Sequence, residues 1–274
     1  MNKSKIEWCS HTWNPVTGCL HGCPYCYARK VAHRFAPAYG GPDGGIHELK
    51  EPYIEGMGEP EHGIPVHYWR EPYPYEFDPT FHRYRLDEPA RASAHRDIFV
   101  CSMADLFGKW VPTEWIVQII DACKAAPQHR YMFLTKNPAR YLELDHLALL
   151  PHEDNFWYGS SVPSEDYMAM YPVPHVRKPF SISSPSGGGS EGINAFWSME
   201  PLLGPVRMEN SEGLPQWVII GAETGSRKEK VTPRREWVDG ITDFCDKNEI
   251  PIFYKGNLRE IFPDLPASAF PWEA

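Results

Sequence analysis

The stretch Tyr131-Met132-Phe133-Leu134-Thr135-Lys136-Asn137-Pro138 carries the reading of the fold. Four apolar residues run without a break, stop at polar ones and meet an Asn-Pro pair. A short continuous apolar run suits a strand buried on both faces of a parallel sheet. Asn137 followed by Pro138 reads as an N-cap with proline at the first helical position, opening a helix from Ala139 to Leu150. The same unit recurs along the chain. Ile98-Phe99-Val100-Cys101 ends in Ser102-Met103-Ala104-Asp105, and Phe156-Trp157-Tyr158-Gly159 ends in Ser160-Ser161. Ala195-Phe196-Trp197-Ser198 ends in Met199-Glu200, and Trp217-Val218-Ile219-Ile220 in Gly221-Ala222-Glu223-Thr224-Gly225. Ile250-Pro251-Ile252-Phe253-Tyr254 ends in Lys255-Gly256-Asn257.

Helical patterns fall between these runs. Trp115, Ile116, Ile119, Ile120 and Cys123 recur at helical spacing after Pro112-Thr113 as a start signal. Thr232-Pro233 opens a further helix with Trp237, Ile241, Phe244 and Cys245 on one face. Strands alternating with helices predict an α/β fold with right-handed crossovers. Counting one strand before Cys19, about six to seven parallel strands are expected, as a partial or closed (β/α) barrel. Residues 1–274 read as one such domain. Two stretches break the rhythm. Residues 37–96 are rich in Pro, Gly, Tyr and acidic residues and read as an insertion or lid. Residues 183–193, with Ser183-Ser184-Pro185-Ser186-Gly187-Gly188-Gly189-Ser190, read as a flexible loop or active-site flap.

The 274 residues are 42% hydrophobic and 14% aromatic, enough for a sizeable core, with a formal charge of −9. That balance argues against a protein that coats nucleic acid through phosphate neutralisation alone. A local basic groove stays open. Its candidates are Arg29-Lys30 with His33-Arg34, and Arg227-Lys228-Glu229-Lys230 with Arg234-Arg235, against a plain reading as two solvated segments. No apolar run approaches the ~20 residues of a membrane span. Met1 to Glu7 carry no apolar signal region, and seven cysteines, an odd number, suit a reducing cytosol. A cytoplasmic protein without membrane contact is expected.

Three of those cysteines stand together in Gly18-Cys19-Leu20-His21-Gly22-Cys23-Pro24-Tyr25-Cys26-Tyr27-Ala28. Thiolates spaced Cys-x3-Cys-x2-Cys on one loop can ligate three irons of a [4Fe-4S] cluster and leave the fourth iron open for chemistry. The alternative is a structural zinc site made by Cys19, Cys23, Cys26 and one of His11, His21 or His33. In parallel α/β folds ligands bind at the carboxyl ends of the strands. The polar tails there supply Asp105, Lys136, Ser160, Ser161, Glu200, Glu223 and Lys255, and the cysteine loop after the first strand faces the same cavity.

The cysteine spacing, with Tyr25 before the last thiol, resembles the signature of the radical S-adenosylmethionine (radical SAM) superfamily. More closely, Trp13-Asn14-Pro15-Val16-Thr17-Gly18-Cys19 resembles an uncharacterised phage-associated three-cysteine family related to that superfamily. Ile98 to Phe107, Phe133-Leu134-Thr135-Lys136, Ser198-Met199-Glu200-Pro201-Leu202-Leu203-Gly204-Pro205 and Gly221-Ala222-Glu223-Thr224-Gly225 extend the likeness in the same order. Two departures stand out. Many relatives carry a longer spacer between the first two cysteines, and Ala222 replaces the glycine usual in a Gly-Gly-Glu block.

The resemblance implies a radical SAM barrel in which the open iron binds S-adenosylmethionine. It also implies reductive cleavage to a 5′-deoxyadenosyl radical that takes hydrogen from a substrate, with the protein positioning the cofactor. By the same likeness Tyr25 contacts the adenine, and Ser102 and Asp105 hold the methionine amine or the ribose. Lys136 pairs with the carboxylate, Ser160 belongs to the same cofactor wall, and Glu200, Glu223 and Lys255 serve ribose or substrate. An electron donor such as flavodoxin or ferredoxin is implied as a partner. The phage association, and with it a host-cell cytoplasm, makes nucleic acid or a nucleobase one candidate substrate. Plainer readings stand beside these. Tyr25 and Tyr27 can pack the following helix, Cys9 and Cys101 can be buried apolar thiols, Trp8 and Trp13 can be core, and Glu200 can be a capped turn residue. A zinc-stabilised nucleic-acid- or partner-binding protein without catalysis is the competing function, and a barrel that keeps its cluster without cleaving the cofactor is a third.

Overall fold

The computed structural model describes residues 1–36, 43–57, 67–70, 72–166, 193–208, 214–225 and 227–273. The elements run β1 (Asn2–Lys3), β2 (His11–Trp13), β3 (Val16–Thr17), α1 (Tyr27–Arg34), β4 (His47–Leu49), β5 (Ile54–Met57), β6 (His67–Arg70) and β7 (Thr80–His82). They continue with β8 (Asp97–Val100), α2 (Thr113–Lys124), β9 (Arg130–Thr135), α3 (Ala139–His146), β10 (Phe156–Ser161), β11 (Asn194–Met199), β12 (Trp217–Ile220), α4 (Arg235–Lys247), β13 (Ile252–Tyr254) and α5 (Gly256–Arg259). The main sheet has the order β1-β2-β8-β9-β10-β11-β12-β13. Every neighbour from β2 to β13 is parallel, and β1 alone is antiparallel, to β2. The expected parallel strands are observed, with helices described after β8, β9, β12 and β13 and none among the described residues between β10 and β11 or β11 and β12.

Side-chain parity divides the core in two. Ile98, Val100, Tyr131, Phe133, Phe156 and Tyr158 join α2 and α3 in one cluster. Their alternates Phe99, Met132 and Trp157 join Trp8, Phe196, Trp217, Ile219 and Phe253 on the opposite face of the sheet. The second set shows that the sheet is curled. Strands β8 and β12 are four positions apart, ~19 Å in a flat sheet. Yet the Trp8 ring lies 4.7 Å from Phe99 of β8 and 6.3 Å from Trp217 of β12. Closure by hydrogen bonding is absent among the described residues, since β1 and β13 are the two ends of the ladder. Side chains cross that gap instead. The Gly256 amide donates to Glu7 Oε2 (2.8 Å) and Trp8 Nε1 donates to Glu200 Oε1 (3.0 Å).

The helices follow their patterns, with α2 and α3 starting where expected and the end of α3 and the start of α4 displaced. Trp115, Ile116, Ile119, Ile120 and Cys123 of α2 are all buried. Asn137 does not cap α3. Its Nδ2 donates to the Phe107 carbonyl (2.9 Å), the helix starts at Ala139 and it ends at His146 rather than Leu150. Likewise α4 begins at Arg235, two residues beyond the Thr232-Pro233 signal. In the stretch read as an insertion, β4 and β7 form a small sheet with β3, and β5 pairs with β6. Residues 37–42, 58–66 and 71 of that stretch, and all but residue 193 of the stretch read as a flexible loop, lie outside the described residues. Among the described residues no helix is long and apolar enough to cross a membrane.

Candidate functional site

The cysteine loop follows the short strand β3 and is held from two sides. The Gly18 amide donates to the Met103 carbonyl (2.9 Å) and the Cys19 amide to the Phe77 carbonyl (3.1 Å). Gly18 has φ +87°, and a Cβ there would collide with the Asp78 carbonyl, so glycine is required. Cys26 is the N-cap of α1, its Sγ accepting from the Arg29 amide (3.4 Å). Arg29 in turn donates through Nη2 to the Cys19 carbonyl (3.2 Å) and lies over the Phe77 ring at 5.0 Å. Asn14, just upstream, fixes the β8 tail: its Oδ1 accepts from Ser102 Oγ (3.1 Å) and from the Met103 amide (3.0 Å).

The loop opens on a cleft with about 1110 Å³ of empty space, part of it open to solvent. Cys19, Cys23, Tyr25, Cys26, Ser102, Asp105, Lys136, Glu200, Glu223 and Lys255 all line it. Ser160 does not, and Ser161 takes that place. The reason is parity: Ser160 follows the outward positions Phe156 and Tyr158, whereas Ser161 follows Trp157 on the inner face. His21, considered above only as a zinc ligand, also lines the cleft, as do Thr135 and Thr224 from the strand-end blocks and Phe77, which the sequence did not single out.

Most polar groups of the wall already have partners. Asp105 is buried and accepts four hydrogen bonds. Oδ1 takes Thr135 Oγ1 (2.6 Å) and the Phe107 amide (3.1 Å); Oδ2 takes the Lys136 amide (2.9 Å) and faces His21 Nε2 at 2.7 Å. Burial alone would raise this carboxyl, but His21, Thr135 and the Lys136 amide hold it below the ordinary range. Glu223, buried at the end of β12, binds Arg227 through both oxygens (2.7 and 2.8 Å), which keeps its carboxyl low. Glu200 sits between Trp8 Nε1 and Lys255 Nζ (3.3 Å), and burial pushes its carboxyl up against the pull of Lys255. Lys136 Nζ donates to Ser161 Oγ (2.9 Å) and stands 5.7 Å from the centre of the Tyr25 ring. Cys9, Cys101 and Trp13 are buried away from the cleft, in line with their plainer readings, whereas Trp8 is buried and also lines it.

The cysteines suit a metal centre by chemistry and placement. All three are free, partly exposed and on one loop. Burial pushes the Cys19 thiol up to about 12, and ligation would expel that proton. Among the described residues the one group of three ligand atoms gathered within 4.8 Å is Asp43, His47 and Asp78, so at least one pair of the three sulfurs is farther apart than that. The histidines considered as a fourth ligand are engaged elsewhere: His21 with Asp105, His33 with Glu76 (2.7 Å) and His11 with Ser10 (3.0 Å). The Asp43–His47–Asp78 group, which the sequence did not announce, ties residues 43–47 to the start of β7, with the His47 ring stacked on Tyr75 at 3.6 Å.

A family model described as "Protein of unknown function (DUF5131)" matches residues 3–259. The chain belongs to the DUF5131 family. No curated protein sequence matches this DUF5131 chain. Two solved structures are similar in outline, each over 92% of this chain and 78% of its own, with a TM-score of 0.49. They are a cysteine-to-serine mutant of spore photoproduct lyase, 12% identical, and a spore photoproduct lyase complexed with dinucleoside spore photoproduct, 14% identical.

Proposed function

We propose that this DUF5131 protein is a radical SAM enzyme in which Cys19, Cys23 and Cys26 hold a [4Fe-4S] cluster beside S-adenosylmethionine in the strand-end cleft. One observation carries the reading: three thiols on a single rigid loop open into a cleft walled by the polar ends of five strands, β8 to β12, and by Lys255 after β13. When bound, cluster and cofactor supply one-electron cleavage of a sulfonium carbon–sulfur bond and hydrogen-atom abstraction from a substrate.

The chain's own residues do the positioning. Tyr25 offers a ring wall for the adenine, with Lys136 Nζ beside it to meet the cofactor carboxylate in place of Ser161. Ser102, tethered by Asn14, and the Glu200–Lys255 pair face the ribose or the substrate. Asp105 and Glu223 act by holding what surrounds them, because His21, Thr135 and Arg227 already occupy their oxygens. For the zinc alternative each candidate histidine is paired through one ring nitrogen, His21 with Asp105, His33 with Glu76 and His11 with Ser10, so the metal content measured below separates the two readings.

Anaerobic reconstitution tests the proposal. About four irons and four sulfides per chain, a broad absorbance near ~400 nm, and loss of both in Cys23→Ala are expected. Release of 5′-deoxyadenosine under a flavodoxin, ferredoxin or chemical reductant is expected next. One zinc per chain and no colour would overturn it.

A further inference from the structure

The sequence offers two basic segments as unconnected candidates, and the structure joins them at one edge of the cleft. Helix α1 buries Ala28 and Ala32 and turns its other side outward. Tyr27, Lys30 and Arg34 fall at i, i+3 and i+7, one stripe of that outward side. All three are exposed, and Phe35 follows at 53% exposure with the Arg34 guanidinium 5.5 Å over its ring. Tyr27 is 48% exposed, but its hydroxyl donates to the Ser102 carbonyl (2.6 Å), so its ring is held at the cleft mouth.

The second segment arrives from β12. Glu223 lines the cleft, and the chain leaves it through Gly225, which has φ +87°. Lys30 Nζ comes within 3.7 Å of where a side chain on Gly225 would begin. The Val231 amide returns to Glu223 Oε2 (3.3 Å), which brings exposed Lys230 back beside Glu223, close enough to act on its charge. The acidic neighbours are largely spoken for, Glu223 by Arg227 and Glu76 by His33, leaving Glu229 as the exposed carboxylate of the segment. A chain with formal charge −9 thus presents cations interleaved with exposed rings beside its cleft. That combination fits a partner with a repeating anionic backbone and unstacked bases, which an acidic peptide does not offer.

We propose that α1 and residues 227–230, which follow Gly225, form a docking rim for single-stranded nucleic acid. Lys30, Arg34 and Lys230 take phosphates, and Tyr27 and Phe35 stack bases. The inference rests on the cleft being the reaction site proposed above, since the rim would deliver the strand to it.

The test is fluorescence anisotropy of a labelled single-stranded DNA of about 16 nucleotides with the full chain at rising salt. It is run on reconstituted protein and on protein without cluster, so that a failed reconstitution bears on the cluster and not on the rim. Lys30→Glu with Lys230→Glu is expected to weaken binding by about tenfold or more and to flatten the log–log salt slope by about 1.4, two phosphate contacts on a single strand. Phe35→Ala, at an exposed position, is expected to weaken binding about tenfold with the slope unchanged. Lys124→Glu, exposed at the end of α2, is expected to bind as the wild type does. Wild-type affinity in the double reversal, an equal loss in Lys124→Glu, or preference for anionic phosphatidylserine vesicles over the oligonucleotide would overturn the proposal.

Discussion

His82 and Gly18 show how single positions hold the cysteine loop. His82 is fully buried on β7, with Nε2 2.9 Å from Thr17 Oγ1 on β3, the strand that leads into the loop. Burial, with Arg85 adding, pushes its imidazole down to about 2. The folded chain therefore refuses a proton that the unfolded chain accepts below about pH 6.5. Its contribution is complete above that pH and lost as pH falls through it, by about 2 kcal/mol between pH 7.5 and 5. Urea unfolding over this range is expected to show a smaller pH dependence in His82→Gln than in the wild type. At Gly18, the backbone carbonyl of Asp78 has no room to retreat from a methyl group. Gly18→Ala is expected to cost at least ~2 kcal/mol in the same assay and to lower iron retained after reconstitution.

Among the elements, the strands were legible and their ends were not. Unbroken apolar runs can only be buried twice over, so β9 to β12 announce themselves, and helical spacing alone places the five buried residues of α2. Helix starts are a different matter. Asn137 reads as a cap only while its side chain is taken to be free, and the Phe107 carbonyl, far earlier in the chain, claims it. Ser160 fails for a related reason: at the end of a doubly buried strand, sequence gives polarity without parity. Gly159 tests the packing that sets this parity. A Cβ there would meet the Phe196 ring on the adjacent strand β11. Gly159→Ala is expected to destabilise by about 1–3 kcal/mol through overpacking, measured by urea unfolding.

Across the whole molecule, the inner face of the curled sheet is a core of rings with the cleft at one end and the C-terminal segment at the other. Trp272 packs on Trp157 (5.5 Å) and Trp217 (5.2 Å), with the Arg130 guanidinium 3.8 Å over its ring, and Trp217 Nε1 donates to the Ala269 carbonyl (3.0 Å). Deleting residues 267–274 is expected to lower the melting temperature on the order of 10 °C by uncovering this face. None of these contacts is written in any window of sequence. Local pattern by itself determined the buried strands, their count of about seven in parallel, the helical faces of α2 and α4, and the grouping of three cysteines on one loop, because burial periodicity and residue spacing are short-range properties. Only the tertiary structure decided that Trp8 meets Glu200, that Glu7 meets Gly256, that Asp105 is consumed by His21 and Thr135, and that Lys30 of α1 reaches Gly225. Those pairings span up to 249 residues, and they depend on how far the sheet curls, which side-chain packing on its inner face sets.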